Sequence, residues 1–238
     1  MDTHLHHDRN PHLEEHMKSS EMLRDIVIGM SDGLTVPFAL AAGLSGAVDN
    51  TDVIVIAGIA EVAAGSIAMG LGGYLAGKTE QDHYRSEEKR EYHEVDNLRE
   101  REIEETKEFF ANIGLSKELQ DKATEEIARD KKQWVDFMMK YELGLEKPDP
   151  KRETKSALNI GLSYIVGGLV PLSPYFFVNS PLEGLKLSAV VTLICLFIFG
   201  FFKSRLTGIN PWGGALRVML IGAIAAGAAF GVAKLFGG

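Results

Sequence analysis

VIVIAGIAEVAAGSIAMGLGGYLAG, residues 53–77, and the KTEQDHYRSEEKREYHEV that follows at residues 78–95 decide the architecture of this 238-residue chain. At 1.5 Å per helical residue, the first stretch is long enough to cross the roughly 30 Å of hydrocarbon in a bilayer. Its one charged side chain is Glu61, and it carries no polar stripe of the kind that turns a soluble helix toward water. Backbone polar groups inside lipid must be satisfied within the segment itself, so the stretch is predicted to be a membrane-spanning helix. The second stretch reverses the composition without a Gly or Pro to stop the helix, which predicts a span that runs on into a charged, water-facing helix.

Working outward, four further segments read as spans, giving approximately 26–48, 53–77, 156–178, 184–202 and 212–236. Pro171 and Pro174 are expected to kink the third or end it early. Whole-chain averages conceal this pattern, for the mean hydropathy is near zero and the formal charge is -8. The reason is partition: residues 78–155 hold 17 of the 25 Lys and Arg and 22 of the 33 Asp and Glu, so the remainder is far more apolar than the mean. The expected fold class is all-α, with five transmembrane helices and a cytosolic three-helix insert between spans two and three. The expected segments are a His-rich cytosolic tail at 1–20, spans one and two at 21–78, the insert at 79–150 and spans three to five at 151–238.

The short connections at 49–52 and 179–183 lack Lys and Arg, whereas the insert is rich in them and the fourth connection carries Lys203 and Arg205. The positive-inside rule therefore puts the N-terminus and the insert in the cytosol. Cys195 is the only cysteine, which excludes an intramolecular disulfide and a cysteine-based zinc or redox centre. The first twenty residues lack the apolar core of a secretory signal, so insertion is expected to use the spans themselves. His4, His6, His7, His12 and His16 there read as a dispensable tail. Gly29 and Gly33, Gly73 and Gly77, and Gly227 and Gly231 are each four apart, a spacing that lets helices approach closely within one subunit or across a homodimer.

Charged groups inside the apolar spans point to function. Asp32 stands near the middle of span one, where a carboxylate costs roughly 2.5–3.5 kcal/mol on insertion scales. Glu21 and Asp25 precede it by eleven and seven positions, which at 100° per residue sets the three along one face as an acidic stripe. Pro37 frees a backbone carbonyl one turn beyond Asp32. Span two contributes Glu61 and Met69, just over two turns apart. A hard carboxylate beside a soft thioether favours a first-row transition metal over sodium, magnesium or calcium. Bound metal would displace protons from these carboxylates, and protons on the far side would compete it off, which is the coupling an antiporter needs.

Within the insert, Glu91-x-x-Glu94 recurs eleven residues later as Glu102-x-x-Glu105. Eleven residues is almost three turns, so a single helix from 79 to about 113, ending at Gly114, would carry all four carboxylates on one stripe. A second helix is expected from Ser116 to about Lys131 and a third over 132–143. The third would fold back to set Met138, Met139 and Glu142 against that stripe. Arg99, Arg101 and Lys107 stand nearby as neutralising cations. The cluster is akin to di-iron sites in helical bundles, yet their Glu-x-x-His motif is missing, which argues against an oxidase.

The strings DIVIGMSDGLTVPFALAAGLSGA at residues 25–47 and AMGLGGYLAGKTEQDHY at residues 68–84 resemble the vacuolar iron transporter family, and the Glu-rich insert resembles its metal-binding domain. The resemblance covers nearly everything from about Ser20 onward, on the branch that retains the insert. It implies a proton-coupled Fe²⁺ antiporter of the vacuolar membrane, not an enzyme, working as a homodimer with its pathway between the two subunits. By position, Asp32 and Met69 match the family's intramembrane ion pair, with Glu61, Glu21 and Asp25 near the entrance. Glu91, Glu94, Glu102, Glu105, Met138, Met139 and Glu142 match its cytosolic metal site. Gly73 departs from the family, many of whose members carry glutamate there. No prosthetic group and no nucleic-acid partner are expected; Fe²⁺ is expected as substrate, with Zn²⁺, Mn²⁺ or Co²⁺ able to use similar ligands. A competing reading is a membrane-anchored metal sensor or buffer in which the spans only tether.

Overall fold

In the computed structural model, the backbone is described for residues 11–236 and the side chains for residues 21–236. Eight α-helices follow one another in that stretch: α1 (Pro11–Ser45), α2 (Thr51–Asn97), α3 (Arg99–Asn112), α4 (Lys117–Ile127), α5 (Lys131–Tyr141), α6 (Arg152–Leu172), α7 (Pro181–Leu206) and α8 (Pro211–Phe236). Among the described residues there is no strand. The expected tail at 1–20 lies outside the described residues, except that the backbone of Pro11 to Ser20 is already part of α1. Five stretches are long and apolar enough to cross a membrane, within α1, α2, α6 with its short 3-10 extension, α7 and α8. Only a minority of the α7 and α8 windows is buried in protein, 22% and 11%, so their apolar side chains are left for lipid to cover.

The chain divides into two compact units, one holding the described residues up to Tyr74 and from Thr154, the other Leu75–Glu153. In the first, small residues decide which helices touch. A Cβ added to Gly33 would run into the backbone of Tyr164, and one added to Gly29 into the Ile160 carbonyl, so α1 and α6 meet backbone to backbone. Gly167 returns the contact, its missing Cβ lying 2.9 Å from Leu34 N. Between α7 and α8, Gly200 faces Ala215, Gly214 faces Ser204, and Gly222 faces Leu196. Close approach of this kind is how helices gain packing energy where the surrounding lipid is as apolar as they are. The pairs Gly29/Gly33 and Gly73/Gly77 therefore serve contacts inside the chain, whereas nothing among the described residues lies within 4 Å of a Cβ at Gly227 or Gly231. Gly33→Leu is expected to separate α1 from α6 and to remove the monodisperse detergent-solubilised species in size-exclusion chromatography; an unchanged elution profile would refute that contact.

Proline shapes the end of span three. Pro171 occupies the last turn of α6, where the α-helix gives way to a 3-10 turn, Ser173–Phe176, the early end that Pro171 and Pro174 lead one to expect. The Pro171 carbonyl is satisfied by the Ser188 hydroxyl at 2.7 Å, and the Tyr175 hydroxyl pairs with that of Ser45 at 2.8 Å. Tyr175 is buried with Ala41, Ile54, Val62 and Leu172 in the largest apolar cluster of this unit.

The second unit corrects the sequence reading at one point. The expected single helix over 79–113 is broken at Leu98, whose backbone leaves the helical region at φ -125° and ψ 31°. Asn97 closes α2 by donating its amide to the His93 carbonyl at 2.8 Å, which satisfies one of the acceptors a helix end leaves open. Arg99 then fixes the start of α3, bonding the Ala128 carbonyl at 3.1 Å and lying 5.0 Å over the Trp134 ring. The expected three-helix insert is accordingly four helical pieces, the end of α2 with α3, α4 and α5. Gly114 ends the α3 region at φ +91°, a left-handed conformation that suits glycine. Asp130 caps α5, its carboxylate accepting from Gln133 N at 2.9 Å. Trp134, Val135, Met138 and Met139 of α5 pack with Tyr84 and Val95 of α2 into a core from which water is excluded.

Candidate transport pathway and metal cluster

In the membrane unit, Asp25 is buried, at 1% exposure, and Glu21, Asp32, Glu61 and Met69 are half-buried. Asp32 sits beside Gly33, where α1 touches Tyr164 of α6. The Tyr164 side chain crosses to α2, packing on Gly65 and donating its hydroxyl hydrogen bond to Glu61 Oε1. The Asp32 carboxylate is close enough to act on that hydroxyl electrostatically. Three spans thus contribute polar groups to one locality, joined through a tyrosine that the sequence reading did not single out. Glu61 Oε2 is buried and accepts no hydrogen bond, so this carboxylate retains an oxygen for a proton or cation. Met69 stands four residues from both Gly65 and Gly73, which pack against Tyr164 and Ile160 of α6, so Met69 too belongs to the side of α2 that meets α6.

In the second unit, Glu91, Glu102 and Glu142 each place a carboxylate oxygen within 4.8 Å of the others. A straight helix would hold Glu91 and Glu102 about 16 Å apart along its axis, far beyond that. The two meet because the break at Leu98 turns α3 back on α2; a shared helical stripe is not the cause. Glu94 and Glu105 are not part of this closest group but stand near enough to repel it. Glu91 and Glu102 are each 1% exposed, and three of their four oxygens have no hydrogen-bond donor. Burial first, then the neighbouring carboxylates, push the pKa of both up to about 7. Glu142 is also raised, by burial and by Glu105 and Glu94, against the lowering pull of Arg101 and Arg90.

Two cations partly balance the cluster from its rim. Arg90 lies 2.7 Å from Glu87, 3.8 Å from Glu91 and 3.9 Å from Glu94, while Arg101 lies 2.8 Å from Glu105. Neither donates a hydrogen bond to the buried oxygens of Glu102. Arg99 and Lys107, expected as further neutralising groups, are engaged elsewhere, Arg99 on Trp134 and Lys107 on Asp121 at 2.6 Å. Beneath the carboxylates, the Thr106 hydroxyl bonds the Glu102 carbonyl at 2.7 Å, lies 3.4 Å from Met138 Sδ and receives the Trp134 indole N–H at 2.8 Å. Met138 is thereby held one turn from Glu102. Met139 is equally buried in the same core.

Buried carboxylate oxygens without donors, thioethers alongside, and separate charged groups inside apolar spans define a polytopic membrane protein equipped to handle cations. The profile of the VIT family matches residues 23–234. Vacuolar iron transporter 1 of Tulipa gesneriana is 51% identical over 223 residues, covering 94% of this chain and 90% of that protein. Vacuolar iron transporter 1 of Oryza sativa is 50% identical over 228 residues, covering 96% and 90%. Protein CCC1 of Saccharomyces cerevisiae is 41% identical over 225 residues, covering 91% and 69%. The chain belongs to the VIT family, which comprises transporters and not enzymes.

Proposed function

We propose that this protein carries Fe²⁺ from the cytosol into the vacuole in exchange for protons, as a homodimer whose N-terminus and insert face the cytosol. The observation that carries the reading is the meeting of Asp32, Glu61 and Tyr164 from three apolar helices, for a tether would gain nothing from ionisable groups placed there. Asp32 and Met69 are the intramembrane ligands, with Glu61 beside them, and Glu21 and Asp25 draw cations to the entrance. The names of the relatives supply iron as the cargo and the vacuole as the destination. Mn²⁺, Co²⁺ and Zn²⁺ are alternative cargo for the same donor set. Glu91, Glu102 and Glu142, with Glu94, Glu105, Met138 and Met139 around them, capture the cation on the cytosolic side.

A second reading, a membrane-anchored metal buffer, is favoured by the compactness of Leu75–Glu153 as a unit of its own. Proteoliposomes loaded with an iron-sensitive dye separate the two. Antiport requires Fe²⁺ uptake that rises when the lumen is acidified relative to the outside, together with measurable proton release. Uptake that ignores the pH gradient would remove proton coupling, and binding without uptake would leave only the buffer.

A further inference from the structure

The buried carboxylates of the insert have their nearest counter-charge in Arg90. Its guanidinium lies 2.7 Å from Glu87, 3.8 Å from Glu91 and 3.9 Å from Glu94, and among the described residues no other cation comes within 4 Å of Glu91, Glu102 or Glu142. Arg90 is half-exposed, so water surrounds it, whereas Glu91 is fixed in the core. Helical side chains lean back toward the N-terminus. Arg90 therefore points over Glu87, three positions earlier, while Glu94 leans toward Arg90 from four positions later. Glu87 stands outside the cluster, which gives Arg90 a partner it keeps whether or not a cation is bound. Arg101 differs in this respect, for its partner at 2.8 Å is Glu105, which itself borders the cluster.

The charge of Arg90 reaches further than its contacts. Burial and the other carboxylates raise the pKa of Glu91 and of Glu142, and Arg90 opposes the rise at both. A positive charge that eases the ionisation of empty carboxylates also repels a divalent cation once it sits among them. The first effect readies the site, and the second shortens the stay of whatever occupies it.

We propose that Arg90, docked on Glu87, is the release element of this cluster: a tethered cation that covers Glu91 and Glu94 while the site is empty and weakens the hold on a bound divalent metal, so that the insert passes its cargo on instead of storing it. The inference rests on the reading of Glu91, Glu102 and Glu142 as a metal site. Arg90 touches no cargo and acts through Glu91 and Glu94, so it is a positioning residue.

The test is calorimetric titration of the full-length protein in detergent with Co²⁺, with release timed after addition of excess EDTA. Arg90→Gln is expected to bind about tenfold more tightly and to release correspondingly more slowly, the effect of removing one charge about 6 Å from a dication through a water-like dielectric. A residue that merely held the fold would give the opposite sign. Arg90→Lys, which keeps the charge, should stay near wild type. Lys89→Gln makes the same change of net charge at the neighbouring exposed position and should alter affinity less than about twofold. Glu87→Gln should weaken binding, because Arg90 then turns wholly onto Glu91 and Glu94, and most of that loss should disappear in the Glu87→Gln/Arg90→Gln double variant. Equal affinity and release in wild type and Arg90→Gln, an equal gain from Lys89→Gln, or a Glu87→Gln loss that persists in the double variant would overturn the proposal. Glu102→Gln separates the two levels. If it binds Co²⁺ as wild type does, the metal site and the role of Arg90 fall together, whereas a defective Glu102→Gln beside an unaltered Arg90→Gln removes only the part given to Arg90.

Discussion

Asp32→Asn is expected to abolish iron flux while leaving a protein that folds, inserts and elutes as wild type does. Asn preserves the shape of the side chain and relieves part of the insertion penalty, so stability should hold or rise. What is removed is the negative charge and the exchangeable proton. Loss of one member of a desolvated charge pair costs roughly 3–5 kcal/mol, which corresponds to a fall in flux of about two to four orders of magnitude. The measurement is Fe²⁺ uptake into proteoliposomes with an acid interior, alongside a size-exclusion profile. Undiminished uptake would end the claim that this carboxylate meets the ion.

The second large effect belongs to the insert, where pH and metal should oppose each other. Glu91 and Glu102 have pKa values of about 7 in the folded protein against a usual 4.5. A carboxylate whose pKa is raised by folding holds its proton more tightly in the folded state, so folding is favoured below the ordinary value and loses stability as pH rises from 4.5 through about 7. The metal-free protein in chelator should thus unfold at a lower temperature at pH 8 than at pH 6. Metal binding needs the carboxylates ionised, so affinity should move the other way, weakening as pH falls through about 7. Glu102→Gln should stabilise the metal-free insert by about 1–3 kcal/mol, since it replaces a buried charge that has no donor, and should lower metal affinity severely. Calorimetric titration with Fe²⁺ or Co²⁺ and thermal unfolding with and without chelator read both effects. A variant that loses stability and keeps its metal would show that Glu102 holds the fold together and binds nothing.

The spans were legible in the sequence because lipid imposes one requirement on every residue of a long segment, and that requirement survives averaging over a window. Pro171 was readable as a helix end for an equally local reason, the missing N–H. The break at Leu98 was not readable. Neither Asn97 nor Leu98 forbids a helix, and the turn is fixed by partners distant in sequence, Arg99 on the Ala128 carbonyl and over Trp134. Periodicity accordingly led to Glu91 and Glu102 through a shared stripe, whereas the fold brings them together by folding one helix onto another. Tyr164 was passed over because a tyrosine in an apolar run reads as bulk. Its faint signal was Gly65, which leaves room for the ring and its hydroxyl against α2, while Gly33 lets the Tyr164 backbone close on α1.

The corner at Leu98 also makes the spacing of the insert unforgiving. Because Glu91 is carried by one helix and Glu102 by the next, adding or removing a single residue between Asn97 and Arg99 would rotate Glu102 by about 100° relative to its partner and swing its carboxylate out of the cluster. Conservative changes of side chain along these helices are cheap by comparison. A change of length at this one joint should therefore cost the cluster more than a change in the residue that forms it.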